Sequence, residues 1–144
     1  MAAFSKKTRI TLLIVAGAIL LTALLAVWGM VMAHMLTRQR TEHEYLTPYS
    51  EKAIAYLTEN QAFTEEYGEV TLRVKSYTYS YLDPKKYTPL PFGPGCPATA
   101  EDFEAELAYL TIEVRFSGIH SVNVFFEKTP EGHLEITGWE NADE

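Results

Sequence analysis

The sequence has few of the residues that build disulfides, metal sites or catalytic centres. It contains a single cysteine, Cys96, so one chain forms no disulfide and offers no set of thiolates to a metal. It has no glycine-rich phosphate loop and no serine or cysteine in a known nucleophile motif. The histidines share no metal-ligand spacing with each other, the cysteine or a carboxylate; they are His34, His43, His120 and His133. We therefore predict a protein that is not an enzyme and that needs no metal or other cofactor.

Basic residues are scarce outside the N-terminal region. Five of the 12 lysines and arginines lie in the first forty residues, which contain no acidic residue. The rest of the chain holds the other 7 basic residues and all 19 acidic ones, so its net charge is −12. A nucleic-acid backbone or an anionic lipid surface must be met by a basic surface. We predict no nucleic-acid binding, and any membrane attachment must come from apolar residues.

One stretch of the sequence is long and apolar enough to cross a membrane. The 23 residues Ile10–Met32 carry no charge, and 12 of them are Leu, Ile or Val. As a helix they span about 35 Å, against a hydrocarbon core of about 30 Å. Insertion of the aliphatic residues alone is favourable by roughly 6 kcal/mol. We predict that the bilayer binds the chain through Ile10–Met32, within a transmembrane helix over residues 10–35 that follows a basic tail, residues 1–9.

A cleaved signal peptide is the alternative interpretation of this stretch. Basic residues precede it and Val31-Met32-Ala33 has the small residues that a signal peptidase accepts. Its length argues for a retained anchor, because the apolar region of a signal peptide has about 7–15 residues. Three basic residues before the stretch and two after it favour a cytoplasmic N-terminus. We predict a single-pass protein of the cell membrane with its C-terminal domain outside the cytoplasm.

Small residues repeat every four positions within the apolar stretch. Ala18, Thr22 and Ala26 fall on one stripe of the predicted helix, where a second helix can approach closely. This pattern allows a homodimer through these three residues. The favoured interpretation is that the stripe faces lipid, because small residues are common in membrane helices.

The remaining chain has the size of one small domain. We predict a polar connector over residues 36–46, a soluble domain over residues 47–140 and an acidic tail at residues 141–144. Thr47-Pro48 has the pattern of a helix start, with Thr47 as N-cap, and apolar residues then recur at helical spacing up to Asn60. A short second helix is predicted to end at Gly68.

Alternating apolar residues predict four strands after these helices. Val70, Leu72 and Val74 alternate with polar residues, and the tyrosines that follow continue in the opposite phase, which indicates a β-bulge near Ser76. Five of the seven prolines lie in a long loop, residues 82–99. We interpret the acidic run at 101–106 as the charged start of a strand. The fold class predicted is α+β, with one main helix packed on a curved antiparallel sheet of about four strands.

Five aromatic residues of the first strand and the Pro-rich loop form a predicted partner-binding set. They are Tyr77, Tyr79, Tyr81, Tyr87 and Phe92. Exposed aromatic side chains bury a large area at small entropic cost and are frequent in interfaces. Packing of the same side chains in the core against the helix is the alternative. The Pro-rich loop itself is either a ligand in polyproline conformation or a plain excursion of the chain.

Four short segments and one tryptophan carry a resemblance to a known family. They are Tyr67-Gly68-Glu69-Val70, Leu110-Thr111-Ile112-Glu113-Val114, Val122-Asn123-Val124, Glu131-Gly132-His133-Leu134-Glu135-Ile136 and Trp139. In this order of elements they resemble the cytochrome oxidase assembly factor 1 family. The resemblance implies an N-terminal anchor, a fold shared with a presequence-translocase subunit of the mitochondrial inner membrane, and a role in respiratory assembly. Cystatin-like and nuclear-transport-factor-like folds have a similar order of elements.

Two functions of different classes follow from the sequence. The first is a membrane-anchored, extracytoplasmic protein-interaction or assembly module, whose partner is another membrane or envelope protein. The second is a small-ligand-binding or sensor domain, which requires a deep pocket between the helix and the sheet.

Overall fold

Three helices and one four-stranded sheet make up the described part of the chain. The computed structural model describes residues 3–87 and 95–143. The strands form one antiparallel sheet in the order β1-β2-β3-β4, so the predicted α+β class is confirmed. The elements are α1 (Lys6–Glu59), α2 (Gln61–Tyr67), β1 (Arg73–Tyr81), α3 (Ala100–Glu106), β2 (Leu107–Phe116), β3 (His120–Lys128) and β4 (Leu134–Asn141).

Helix α1 is one continuous helix of 54 residues, about 81 Å long. It begins after Ser5, whose hydroxyl accepts a hydrogen bond from the backbone N–H of Thr8 at 3.2 Å. Its first half contains the apolar stretch, which is long and apolar enough to cross a membrane and is buried nowhere against the rest of the described chain. Leu13 at the start and Trp28 at the end of this stretch are 72% and 65% exposed. Membrane lipid is the medium that suits such a surface.

The predicted connector at residues 36–46 and the predicted new helix start at Thr47-Pro48 are wrong. The Thr47 hydroxyl does not cap a helix but donates back to the carbonyl of His43 at 3.0 Å, inside α1. Proline removes one helical hydrogen bond. Leu46 and Tyr49, on either side of it, are 2% and 7% exposed against the sheet, and this packing holds the helix together across Pro48. The apolar stretch and the domain therefore share one helix with no joint between them.

Helix α2 closes the far end of the domain. Asn60 lies between α1 and α2, and its side-chain oxygen caps α2 by accepting the N–H of Phe63 at 3.0 Å. The same oxygen also accepts the indole N–H of Trp139 at 3.1 Å. Gly68 ends α2 with a φ of 74°, as the sequence predicted. The ring of Phe63 meets that of Trp139 edge to face at 5.5 Å. This aromatic contact fixes α2 against the last strand.

The core lies between the second half of α1 and one face of the sheet. The predicted bulge in the first strand is confirmed, since the β1–β2 register shifts between Val74 and Ser76. The three C-terminal strands form the predicted meander. Alternate residues of β2 and β3 point at the helix and are at most 1% exposed; they are Leu110, Ile112, Val114, Val122, Val124 and Phe126. We call this side of the sheet the inner face.

The acidic run after the Pro-rich loop is a helix, so its interpretation as the start of a strand is wrong. The Thr99 hydroxyl accepts the N–H of Asp102 at 3.1 Å and caps α3. Acidic residues in a first turn favour a helix because of the helix dipole. Lys128 donates to the carbonyls of Glu104, Ala105 and Leu107 where α3 ends. The Thr99 cap and the acidic first turn are the sequence signal that identifies this helix.

Candidate functional site

The structure places the predicted aromatic residues against the core. Tyr77, Tyr79 and Tyr81 lie on the inner face of β1. Tyr81 and Tyr87 are only 7% and 6% exposed, and Phe92 lies outside the described residues. An exposed surface is therefore wrong for Tyr81 and Tyr87, and core packing, the alternative interpretation, accounts for both.

The tyrosines form a connected set of rings around Phe103. Ring centres of Tyr79 and Tyr81 lie 5.9 Å and 6.1 Å from that of Phe103, and Tyr81 lies 4.8 Å from Tyr87. The Tyr77 hydroxyl is 2.7 Å from that of Ser50 on α1. Aromatic contacts of this kind add about 0.5–1.5 kcal/mol each to the effect of burial. The set joins β1 and α3 to helix α1.

A polar cluster lies where α1 meets both described ends of the Pro-rich loop. We call it the Arg38 cluster, and its members are His34, Arg38, Glu42, Tyr81, Tyr87 and Cys96. Arg38 forms an ion pair with Glu42 and donates to the carbonyl of Tyr87 at 3.0 Å. Its guanidinium carbon lies 5.9 Å from the ring centre of Tyr81. Glu42 is 4% exposed, so this ion pair is largely removed from water and fastens the loop to the helix.

The ionisation of the Arg38 cluster does not favour nucleophilic chemistry. Burial and the negative charge of Glu42 raise the pKa of the Cys96 thiol. The same two causes raise the pKa of the Tyr81 phenol. Both groups are therefore protonated at neutral pH, and a protonated thiol is a weak nucleophile and a weak metal ligand. The Tyr81 hydroxyl and His34 Nε2 are buried without a hydrogen-bond partner in residues 3–87 and 95–143.

The other side of the sheet, which we call the outer face, is exposed at Thr78 and Tyr109 and buried at Ser121, which is 2% exposed. Cross-strand pairs such as Ser80 with Tyr109 and Thr111 with Phe125 place small hydroxyl side chains next to aromatic ones. Tyr109 is 44% exposed. The centre of the outer face consists of Ser76, Thr78, Ser80, Tyr109, Thr111, Glu113, Ser121, Asn123 and Phe125. In antibody binding loops, tyrosine supplies contact area at a small cost in conformational entropy, and serine and asparagine supply adaptable hydrogen bonds.

Glu113 is the one charged residue in this central set, and three neighbours hold its carboxylate. Lys75 donates to it at 2.8 Å, Ser76 at 2.9 Å and Ser121 at 2.6 Å. These hydrogen bonds, that of Lys75 first, lower the pKa of Glu113 from 4.5 to about 2. The carboxylate is therefore ionised and fixed at neutral pH, which leaves a pre-ordered patch in the middle of the outer face.

Replacing this carboxylate by an amide should give a pH-dependent loss of stability. Because folding lowers its pKa, Glu113 stabilises the fold fully above about pH 4.5, and this contribution disappears as the pH falls to about 2. We expect Glu113→Gln to cost about 1–2 kcal/mol at neutral pH. Urea titrations of the full chain in detergent at several pH values would measure this difference.

The matched control is Glu127→Gln, on an exposed glutamate that lies on the same outer face but in the neighbouring strand β3. It should change the free energy of unfolding by less than about 0.5 kcal/mol at every pH. A Glu113→Gln effect that stays constant from pH 7 to pH 2 would contradict this account of the carboxylate.

A deep ligand pocket between helix and sheet is not a feature of the described residues. The space is filled by side chains that are at most 1% exposed, among them Leu57, Phe63 and Phe126. An open cleft of about 470 Å³ lies at the far end of the domain, beside Thr58, Phe63 and Glu69. This cleft has one titratable group, Glu69. A second, more open cleft of about 380 Å³ lies between α1 and strands β3 and β4, beside Lys52 and Glu135. Ligand sites combine enclosure with several convergent polar groups, and neither cleft is an enclosed cavity.

Comparisons with known protein families, curated proteins and solved structures found no match for this chain. The resemblance to the cytochrome oxidase assembly factor 1 family therefore stays a prediction from sequence motifs, and the outer face and the Arg38 cluster are interpreted from their own geometry.

Proposed function

We propose that the protein is a membrane-anchored, extracytoplasmic module that binds another protein of the same membrane through the outer face of its sheet. The observation that carries this proposal is the continuity of α1. A single helix begins in the apolar stretch and becomes the main core helix of the domain. The domain is thus held at a fixed distance and rotation above the anchor.

The direction of the outer face selects the class of partner. A helix packed on a sheet lies parallel to the plane of that sheet, as α1 does through its contacts to β1 at Tyr77 and to β3 at Phe126. The outer face therefore looks sideways from the helix axis. With α1 across the bilayer, this face looks along the membrane surface toward neighbouring proteins, and it turns away from a ligand that arrives along the membrane normal.

The chemistry of the outer face suits a protein partner. Its nine central side chains include short hydroxyls, an amide and two aromatic rings, and the one carboxylate among these nine, that of Glu113, is held by three hydrogen bonds. Little side-chain entropy is lost when such a surface is covered. The basic residues before the apolar stretch favour a cytoplasmic N-terminus, so the domain and its partner lie on the opposite side.

A pair of matched arginine substitutions tests the proposal. Thr78→Arg places a long cation on the outer face, and Thr58→Arg places the same side chain on the exposed side of α1. In the native membrane, we expect Thr78→Arg to lower the yield of crosslinks to a carbonate-resistant membrane protein by about tenfold, which corresponds to about 1.4 kcal/mol. Thr58→Arg should leave the yield unchanged.

Circular dichroism and urea titration must show that both variants fold like the natural chain. If the folded Thr78→Arg variant gives an undiminished crosslink yield, the outer face has no role in binding. If both variants give a reduced yield, the loss is caused by the added charge and not by its position on the outer face.

A further inference from the structure

The uncharged part of α1 is longer than the hydrocarbon core of a bilayer. Between Arg9 and Arg38 there are 28 residues without a formal charge, counting histidine as neutral. As a helix they extend about 42 Å, which exceeds the hydrocarbon core by about 12 Å. Each headgroup layer adds about 5–7 Å. The last residues before Arg38 therefore lie within the headgroup layer.

The domain reaches back along α1 to this level. An added Cβ at Gly95 would lie 2.8 Å from Nε2 of His34 and 3.7 Å from Cβ of Arg38, so the loop backbone touches the helix here. Arg38 binds the carbonyl of Tyr87 on the other side. His34 and Arg38 follow Met32 by two and six residues, or about 3 Å and 9 Å along the axis. Side chains of a helix also lean toward its N-terminus, which here is toward the bilayer.

The turn that follows β1 carries an exposed leucine at this end of the domain. Leu82 is 65% exposed, and its N–H donates to the carbonyl of Glu106 at 2.8 Å, so its backbone is fixed. The preceding residue, Tyr81, belongs to the Arg38 cluster. The exposed charges on this turn are of both signs: Asp83 and Lys85, and Lys86, which is paired with Glu106 at 2.8 Å. This combination suits the apolar and zwitterionic boundary of a phospholipid bilayer and does not require anionic lipid.

We infer that the turn at residues 82–87, together with Gly95, lies in the headgroup layer and that Leu82 contacts phospholipid. This contact rests on the membrane anchoring proposed above. The partner is the same bilayer in which the helix is anchored, because no flexible connector separates the two. The contact adds a second attachment point and limits the tilt that α1 and the domain make together in the bilayer.

Quenching by spin-labelled lipid tests this contact in the full chain. Cys96→Ser removes the natural thiol, and single cysteines at Leu82, Lys85, Ile119 and Leu21 are then labelled with an environment-sensitive fluorophore. The protein is reconstituted into phosphatidylcholine vesicles with a nitroxide either on the headgroup or deep in the acyl chain. Ile119 is the control: it is 84% exposed on the β2–β3 turn, next to Phe116, which packs on α2 at the far end of α1.

The headgroup nitroxide should quench the labels at Leu82 and Lys85 at least about twofold more than the label at Ile119. Ile119 lies near the far end of α1, and Glu59 at that end is about 40 Å beyond Met32 along the helix axis. The deep nitroxide should quench Leu21. Quenching at Leu21, with Leu82 and Lys85 no more quenched than Ile119, would overturn the lipid contact and leave the anchor intact. A Leu21 label that resists both nitroxides would refute the anchor and the contact together.

Discussion

Arginine at both Leu21 and Leu24 is expected to remove the protein from the membrane. The two positions lie at the centre of the apolar stretch, where α1 is exposed along its length. Each arginine at a helix centre costs about 2.5–3.5 kcal/mol for insertion and also loses the contribution of a leucine, about 0.5 kcal/mol. The pair therefore costs about 6–8 kcal/mol. This equals or exceeds the roughly 6 kcal/mol that the 12 aliphatic residues provide.

Carbonate extraction of cell membranes measures the result. The natural chain should stay in the pellet, and the double-arginine variant should move to the supernatant or be degraded. The variant with alanine at Leu21 and Leu24 is the control, since it removes the same leucines without adding charge and should remain in the pellet. Retention of the double-arginine variant in the pellet would mean that another part of the chain provides the attachment.

The same exposed stretch shows why an apolar helix of membrane length was the easiest feature to predict. Membrane insertion depends on length and on summed hydrophobicity, which are properties of the linear sequence. The meander was equally accessible, because alternating residues at positions such as Val122 and Val124 define which face is buried. These two features explain why the predicted fold class agrees with the observed one.

The connector failed as a prediction because local signals and tertiary packing disagree there. Thr47-Pro48 is a good helix start by itself. In the folded chain, Leu46, Tyr49 and Ala53 must all reach the inner face, which requires one helix across the proline. Packing of this kind outweighs a single lost hydrogen bond, and it is invisible in a local pattern.

The Arg38 cluster could not be predicted from the sequence, for a related reason. Arg38 and Glu42 are four residues apart, a spacing that usually marks an exposed helical ion pair. Only the return of the Pro-rich loop to α1, at Tyr87 and Gly95, buries the pair. Contacts between residues about fifty positions apart depend on the whole topology, so no local pattern predicts this site. The tyrosine set was ambiguous for the same reason.

Replacing Phe103 by alanine tests the interpretation of these tyrosines as core. Its side chain is fully buried, and its ring centre lies 5.3 Å from that of Tyr45 and about 6 Å from those of Tyr79 and Tyr81. Removing a buried phenylalanine costs about 3–5 kcal/mol, since apolar contacts are lost and a cavity remains. Small domains have a total stability of about 5–15 kcal/mol. Phe103→Ala should therefore bring the domain close to unfolding.

The matched change on the other side of the sheet is Tyr109→Ala. This aromatic residue lies on the outer face and is 44% exposed, so its loss should cost less than about 1 kcal/mol. Urea titration of the full chain in detergent, followed by the fluorescence of Trp139 with Trp28→Phe as background, would compare the two. Equal destabilisation by both variants would contradict a core that lies between α1 and the inner face alone. A stable Tyr109→Ala variant also supplies a folded protein whose loss of crosslinking can be attributed to binding.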